Sequence, residues 1–324
     1  MTDLSPLILP LLLLGAIGIP VAVFAALGLA EKVLAMLPVA AARGLRPLAW
    51  LGLPVGLVCL VLVFPLVVTV MTSFRDATGG AWVGAENYAW AFGNAMQGVI
   101  RNNILWLVAF PLAVLILALA TAYLFDKVVY EPLAMTIVIL PTAISFTAGA
   151  LIWTQIYSFQ PATSPQIGTL NAGLVALGFK PVPWLIQPVV NTLALIFIAV
   201  WLQLGIATLI LSAAIKNVGS EMIEAARLDG ASETRIFLSM VLPNILPAVL
   251  VVLTTMIIAG LKVFDIVYVM TNGNFGTNVI ANKLYYELFA TANLGHASAI
   301  AVILMACALP VAVANILQFR AEAR

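Results

Sequence analysis

Apolar residues do not alternate singly along this chain; they come in long runs separated by short polar connections. A bilayer core about 30 Å thick takes roughly 20 apolar residues in helical form. Seven runs reach that length, at residues 4–29, 48–72, 103–125, 133–157, 189–215, 246–270 and 297–319. The pattern predicts an all-α, polytopic membrane protein, each span closing its own backbone hydrogen bonds. The connections differ in character. Residues 73–102 are polar and aromatic, 158–188 are rich in Pro, Gly, Thr and Ser, and 216–245 are charged. The first run has no basic residue ahead of it and exceeds the apolar core of a signal peptide, so it is read as a span despite Pro10 and Pro20.

Composition strengthens this picture. The chain is 64% hydrophobic and 8% charged, against about a quarter charged in soluble domains, and its mean hydropathy is +1.14. Fourteen Lys and Arg balance thirteen Asp and Glu, which gives no electrostatic reason to expect nucleic acid as a partner. Cys59 and Cys307 lie in apolar runs, as buried free thiols would. With one histidine, His296, no metal-spaced Cys/His cluster exists. Nor is there a G-x-x-x-x-G-K-[ST] phosphate cradle, an H-E-x-x-H or a G-x-S-x-G. The chain is expected to bind no cofactor, no metal and no ATP through a P-loop, and to catalyse no reaction.

Lys and Arg set the expected orientation. If 216–245 is cytoplasmic, that side carries Lys32, Arg43, Arg46, Lys127, Lys216, Arg227, Arg235, Arg320 and Arg324, nine in all, while Arg75, Arg101, Lys180 and Lys283 make four opposite. The N-terminus is then outside and the C-terminus inside.

The charged connection contains "EAARLDGASETRIFLSMVLPNILP", Glu224 to Pro247. Ser220 can cap a first short helix, with Glu221 and Glu224 near its positive end. Gly230 suits its left-handed close. Ser232 can cap a second helix, which Pro243 should end or kink. Helices of about two turns are marginal in water, so something must hold them. Either they pack back on the chain's own spans, or Ala225, Ala226, Gly230 and Ala231 form a small-residue surface for a partner's groove.

Within the sixth run, Lys262 and Asp265 stand three apart and share a face if the helix is continuous. Ionisable groups at membrane depth are costly and mark function by default; the alternative is an ion pair that fixes packing. Tyr268 and Asn272 follow on the same side, and with Asp265 they offer the donors, acceptors and aromatic face a sugar needs. Gln203, inside the fifth run, and Trp153, Gln155 and Tyr157, near an interface, are lesser candidates. His296 is read as structural or exposed. No pair of interrupted apolar segments, the mark of many secondary transporters, is evident.

The Glu224–Pro247 stretch resembles the EAA motif of the permease subunits of binding-protein-dependent ABC importers. Glu224, Ala225, Ala226, Asp229, Gly230, Ala231, Phe237, Leu242, Pro243 and Pro247 stand at its spacings. The likeness extends over about 48–320, through "GTLNAGLVALGFKPVPWLIQP" (168–188), "VWLQLGIATLILSAAIKNV" (200–218), "LKVFDIVYVMTNG" (261–273) and "GHASAIAVIL" (295–304), which are similar to segments of the sugar-type permeases. It implies the type I importer fold, a six-helix core in 48–324, to which 1–47 would add an extra N-terminal span and linker. It implies that Glu224, Ala225, Ala226 and Gly230, with Asp229, Ala231, Phe237 and Pro243, form a coupling loop seated in an ATPase subunit. The implied partners are a second homologous permease, two ATPase copies holding ATP and Mg, and an extracytoplasmic sugar-binding protein. The implied cargo is an oligosaccharide or α-glucoside of the maltose type; a polyamine would want a more acidic lining and a glycerol phosphate a more basic one. One departure stands out. Where the family often has Gly-Gly-Pro, this chain reads Gly273, Asn274, Phe275.

Overall fold

The computed structural model describes residues 5–161 and 163–322; residue 4 of the first run and Arg324 of the tail lie outside them. Every regular element is helical apart from one isolated antiparallel bridge, Arg75 to Trp82. The chain divides into two units, Met1–Met71 and Thr72–Arg324.

The first unit holds α1 (Ser5–Ala35), α2 (Val39–Val58) and α3 (Phe64–Thr72), the last ending at the unit boundary. α1 and α2 form a hairpin in which Glu31 accepts from Trp50 Nε1 (2.6 Å) and Arg46 Nη2 (3.1 Å). A π-helical turn, Cys59–Val63, joins α2 to α3. It lies just ahead of Pro65, where a shifted hydrogen-bond register accommodates a residue that cannot donate.

The second unit continues with α4 (Glu86–Ala91), α5 (Asn94–Phe125), α6 (Glu131–Ile139), α7 (Phe146–Ile156), α8 (Thr169–Ala176) and α9 (Val190–Lys216). Then come α10 (Ser220–Leu228), α11 (Glu233–Ile236), α12 (Leu242–Asn244), α13 (Leu246–Leu261), α14 (Asp265–Met270), α15 (Ile280–Phe289) and α16 (Leu294–Glu322). Its core is the seam between α5 and α9. Val114, Ala118 and Ala122 of α5 and Ala207 and Leu211 of α9 are fully buried. Small residues let the two backbones approach closely, the usual source of affinity between helices in lipid. Thr121 and Thr208 join their hydroxyls across the seam at 2.9 Å.

Among the described residues, four helices are long and apolar enough to cross a membrane: Ala41–Thr72, Asn94–Phe125, Val190–Lys216 and Leu294–Asn315. Two bent pairs raise the number to six, Glu131–Ala143 with Phe146–Ile156 at 102° and Glu233–Asn244 with Leu246–Leu261 at 74°. α1, which carries the first run, is not among the six. The interruptions correct three expectations. The fourth run is broken by a 3-10 turn at Leu140–Ala143 around Pro141, with Ser145 capping α7 by accepting from the Ala148 N–H at 3.2 Å. The sixth run stops at Leu261 and restarts at Asp265, so Lys262 and Asp265 do not share one helix. Interrupted spans, expected to be absent, are therefore present.

Smaller corrections follow from local chemistry. α10 begins at Ser220 with Gly219 in the cap position and no side-chain cap bond. The bend near Pro243 falls at Ile245, because a π turn over Phe237–Val241 sets Pro243 in the first turn of α12, where no N–H is needed. Cys59 and Cys307 are unpaired but exposed rather than buried.

Gly205 shows how tightly α6 lies on α9. A Cβ there would stand 2.5 Å from the Val138 carbonyl oxygen and 2.6 Å from Ile139 Cα. Both are backbone, so neither can swing aside. Gly205→Ala should cost about 1–3 kcal/mol by overpacking, seen as a lowered Tm in detergent, whereas Gly173→Ala, with nothing within 4 Å, should leave Tm nearly unchanged.

Candidate functional site

Two places gather side chains that span packing does not require. The first is the charged connection. α10 closes by a Schellman arrangement in which the Ala231 N–H donates to the Ala226 carbonyl and the Gly230 N–H to the Arg227 carbonyl, both at 3.0 Å. Gly230 has φ +80°, a region that costs a residue with a Cβ about 1–2 kcal/mol. Ser232 caps α11 as expected, accepting from the Arg235 N–H at 3.4 Å.

These helices have a seated side and an open one. Ala226 (4% exposed) and Ile236 (2%) join the core, and the partly buried Ile223, Ala231 and Phe237 pack against it. Glu221, Glu224, Ala225, Asp229 and Pro243 are exposed, and Leu228 is 89% exposed. An apolar side chain left that open, between Arg227 and Asp229 in the chain, is unusual on a loop that otherwise folds back on its own spans.

Glu233 fastens the loop to the end of α5. Its carboxylate accepts from Arg227 Nε at 2.8 Å, Lys127 Nζ at 2.6 Å and the Tyr123 hydroxyl at 2.9 Å. The Lys127 ammonium lies 4.0 Å from the Tyr123 ring centre, and that ring packs on Phe237 at 4.8 Å. The Arg227 hydrogen bond, then those from Lys127 and Tyr123, hold the Glu233 carboxyl down to about 2 from its usual 4.5. Sequence reasoning missed this group, because Tyr123 and Lys127 lie more than a hundred residues before Glu233 and nothing local pairs them.

The second place is a cavity of about 350 Å³ at the break between α13 and α14. Lys262 and Asp265 line it, with Trp106 and Phe110 from α5, Phe146 from α7, Thr255 from α13 and Phe264 from the break itself. Among the described residues Lys262 and Asp265 form no ion pair; Asp265 instead accepts from Thr147 at 3.3 Å. The Trp106 indole N–H is buried without a partner. The cavity thus offers a cation, a carboxylate, a hydroxyl and flat aromatic faces.

The other candidates fall outside this lining. Tyr268 stacks on Phe264 at 5.1 Å and meets the Tyr285 hydroxyl at 3.5 Å, behind the wall. Asn272 sits in the turn after α14 at φ +49°. Gln203 is half-buried on α9, a turn beyond the cavity-lining Ala199. Trp153 and Tyr157 belong to an aromatic cluster with Trp184, Phe197 and Trp201, while Gln155 is exposed. His296 is structural, stacked on Trp90 at 3.6 Å and 3.3 Å from Glu287. Among the described residues no group of three or more His, Cys, Asp or Glu is placed to hold a metal. Trp106, Phe146, Thr255 and Phe264 were not singled out from sequence, since aromatics in apolar runs read as core or interface.

Residues 127–324 match the family described as the binding-protein-dependent transport system inner membrane component. The chain belongs to this family. It is a multi-pass inner-membrane permease, not an enzyme. The osmoprotective compounds uptake permease protein GgtC of Synechocystis sp. is 47% identical over 262 residues, 81% of this chain and 94% of that relative. The alpha-glucoside transport system permease protein AglF of Rhizobium meliloti is 40% identical over 279 residues, 85% of this chain and 82% of the relative. Among solved structures, a bacterial ABC transporter that imports the acidic polysaccharide alginate contains a chain with TM-score 0.71 at 23% identity, covering 87% of this chain and 98% of that one. That likeness is one of fold. It agrees with an all-α permease fold of the type I importer class.

A carboxyl whose pKa is lowered on folding stabilises above its ordinary value and loses that contribution as pH falls through the folded one. The Glu233 tie should therefore be complete above about pH 4.5 and disappear only toward pH 2. Hydrogen exchange over 220–236, corrected for intrinsic rates, should stay slow at pH 4.5. Glu233→Gln should speed it several-fold at neutral pH while the α5–α9 seam remains protected.

Proposed function

We propose that this chain is one permease subunit of an ATP-driven importer for a sugar, an oligosaccharide or α-glucoside, working by alternating access. The observation that carries the reading is the two-sided loop. Glu224, Ala225 and Leu228 are presented outward on a short helix that Ala226, Ile236 and Glu233 hold rigidly to the spans. A surface so held transmits a push to α5 instead of absorbing it. Its occupant is an ATPase subunit, with Glu224, Ala225, Ala226, Asp229, Gly230, Ala231, Phe237 and Pro243 forming the coupling element. The partner, not this chain, binds ATP and Mg. A second homologous permease completes the pathway, two ATPase copies drive it, and a soluble receptor delivers the sugar.

The 216–245 loop and the C-terminus face the cytoplasm in this reading and the N-terminus lies outside, as the Lys and Arg bias favours. Residues 1–47 add a span and linker to a six-helix core in 48–324. The cavity at the α13–α14 break supports a neutral, polyhydroxylated cargo. One ammonium, one carboxylate and aromatic faces suit hydroxyl groups and sugar rings. A phosphorylated glycerol would call for more cations, a polyamine for more carboxylates. The functions named for the relatives, uptake of osmoprotective compounds and transport of alpha-glucosides, point the same way.

Purification of the tagged chain in mild detergent from its native host tests the assembly. A P-loop ATPase and a second permease should come with it, and the associated receptor should bind neutral glycosides in preference to glycerol phosphate or spermidine. A chain that emerges alone, with solute flux independent of ATP, would sink the reading. In the complete transporter, Gly230→Pro should uncouple transport from ATP hydrolysis, since proline can adopt neither φ +80° nor the bond to Arg227. Gly230→Ala, with open space around its Cβ, should retain most transport.

A further inference from the structure

Three asparagines with no part in the cavity lining are almost wholly buried where α5 and α9 begin. They are Asn102 (5% exposed), Asn103 (2%) and Asn191 (1%). Burying an amide side chain is unfavourable unless its hydrogen bonds are met, and the NH2 groups of all three donate to distant backbone. Asn191 donates to the Phe275 carbonyl at 2.8 Å. Asn102 donates to the carbonyls of Gly276 (2.6 Å) and Asn278 (2.9 Å). Asn103 accepts from the Ile280 N–H at 2.6 Å and donates to the Leu261 carbonyl at 3.4 Å.

The segment they grip is strained. Asn272, Gly273, Phe275 and Gly276 have φ of +49°, +75°, +56° and +75°. Two of the four carry a Cβ in a region that costs such residues of order 1–3 kcal/mol each. A connection this contorted keeps its shape only if the surroundings impose it.

Asn103 differs from the other two because it holds two places at once. One is the first residue of α15. The other is the carbonyl of Leu261, the last residue of α13, next to the cavity-lining Lys262. The Ile280 N–H can only donate, so the amide oxygen faces it and the NH2 group faces Leu261. The backing is stiff as well. Asn103, Trp106 and Phe110 stand on one face of α5, and Gly260 packs against Trp106 and Phe110, its Cβ position 3.4 Å from both.

We infer that Asn103 is a positioning residue that locks the 272–280 connection to the cavity-lining turn 261–265, so that the two move as one piece. The inference rests on the proposed function: with the 216–245 loop cytoplasmic, the connection beyond the sixth run lies on the opposite side, where the receptor docks. A displacement imposed there by the docked receptor is then delivered to Lys262 and Asp265 without a flexible joint between. Asn102 and Asn191 preserve the shape of the connection; Asn103 alone also holds Leu261, the residue before the cavity-lining Lys262.

The test uses the complete transporter in vesicles, with liganded receptor as the varied component, and hydrogen exchange on the same proteins. Asn103→Leu should lower the maximal transport rate at least tenfold and speed exchange over 258–265 and 276–282 together. Asn191→Leu should loosen 272–278 alone and leave exchange over 258–265 unchanged. Asn103→Asp supplies the control that still folds. While protonated, its carboxyl can both accept from Ile280 and donate to Leu261; once ionised it cannot donate. Its maximal rate should approach wild type at low pH and fall as pH rises, relative to wild type, with the half-saturating receptor concentration unchanged. A wild-type maximal rate in Asn103→Leu, or an Asn103→Asp ratio flat with pH, would overturn the inference. If the wild-type complex moves no solute, the importer reading fails instead, and the exchange patterns of the two leucine variants still decide whether Asn103 joins the segments.

Discussion

Inside hydrocarbon no water is available to satisfy a freed amide or carbonyl, so a helix can be interrupted only where protein groups replace its lost bonds. Much of this permease follows from that constraint. The fourth run breaks at Pro141, and the cost is met locally: Thr142 donates to the Ile139 carbonyl at 2.6 Å and Ser145 caps the next helix. The sixth run breaks without a proline at the break itself, and its cost is met at long range, by Asn103 on the Leu261 carbonyl. Both breaks lie beside the same cavity, because α14 packs on α7 and Asp265 reaches Thr147. An uninterrupted helix would present Lys262 and Asp265 a turn apart, close enough to neutralise each other. The break separates them and leaves each facing the cavity.

The charged connection solves the opposite problem. There water is plentiful, and the difficulty is that two short helices have little stability of their own. Burial of Ala226 and Ile236 supplies a seat, the Schellman closure at Gly230 sets the angle between the helices, and Glu233 ties both to α5 through Arg227, Lys127 and Tyr123. Exposed ion pairs contribute little singly, so stability is not the main result. Three donors converging on one carboxylate fix direction, and the coupling role proposed for this loop asks for direction more than strength.

How far the chain could be read in advance depended on the range of each interaction. The α-helical class, the runs that became α5, α9 and α16, the Ser232 cap and the left-handed Gly230 all rest on contacts within four or five residues, and local chemistry was enough. The break at Leu261 was not legible, since Lys262, Val263 and Phe264 carry no turn signal and the group that stabilises it lies on another helix. The same is true of Glu233, whose partners precede it by more than a hundred residues. Tyr268 and Asn272 were proposed on the premise of one helix running on from Lys262; α13 instead ends at Leu261 and α14 at Met270, so Asn272 falls in the following turn and Tyr268 meets Phe264 and Tyr285. Gln203 stands on the unbroken α9 and misses the lining by about a turn. The aromatic lining was hidden for a further reason. Trp106 and Phe146 look like ordinary span residues until a cavity opens beside them.

Interrupted spans also bear on the rival class, because secondary transporters use them at their binding sites. Their presence here removes one sequence argument against such a transporter, and the weight moves to the loop. A solute-driven carrier needs no apolar knob held out among charged residues on a surface away from its cavity, and Leu228 at 89% exposure would only invite aggregation. A subunit driven from outside needs both parts: a broken span that can rearrange around cargo, and a stiff handle by which another protein can move it. The α5 helix touches both places, with Trp106 and Phe110 lining the cavity, Asn103 a turn before them, and Tyr123 against Glu233 and Phe237 of the charged connection. The helix runs for 32 residues with Pro111 inside it, and its packing along α9 on both sides of that proline is what lets a displacement at the Tyr123 end be carried toward the Asn103 end.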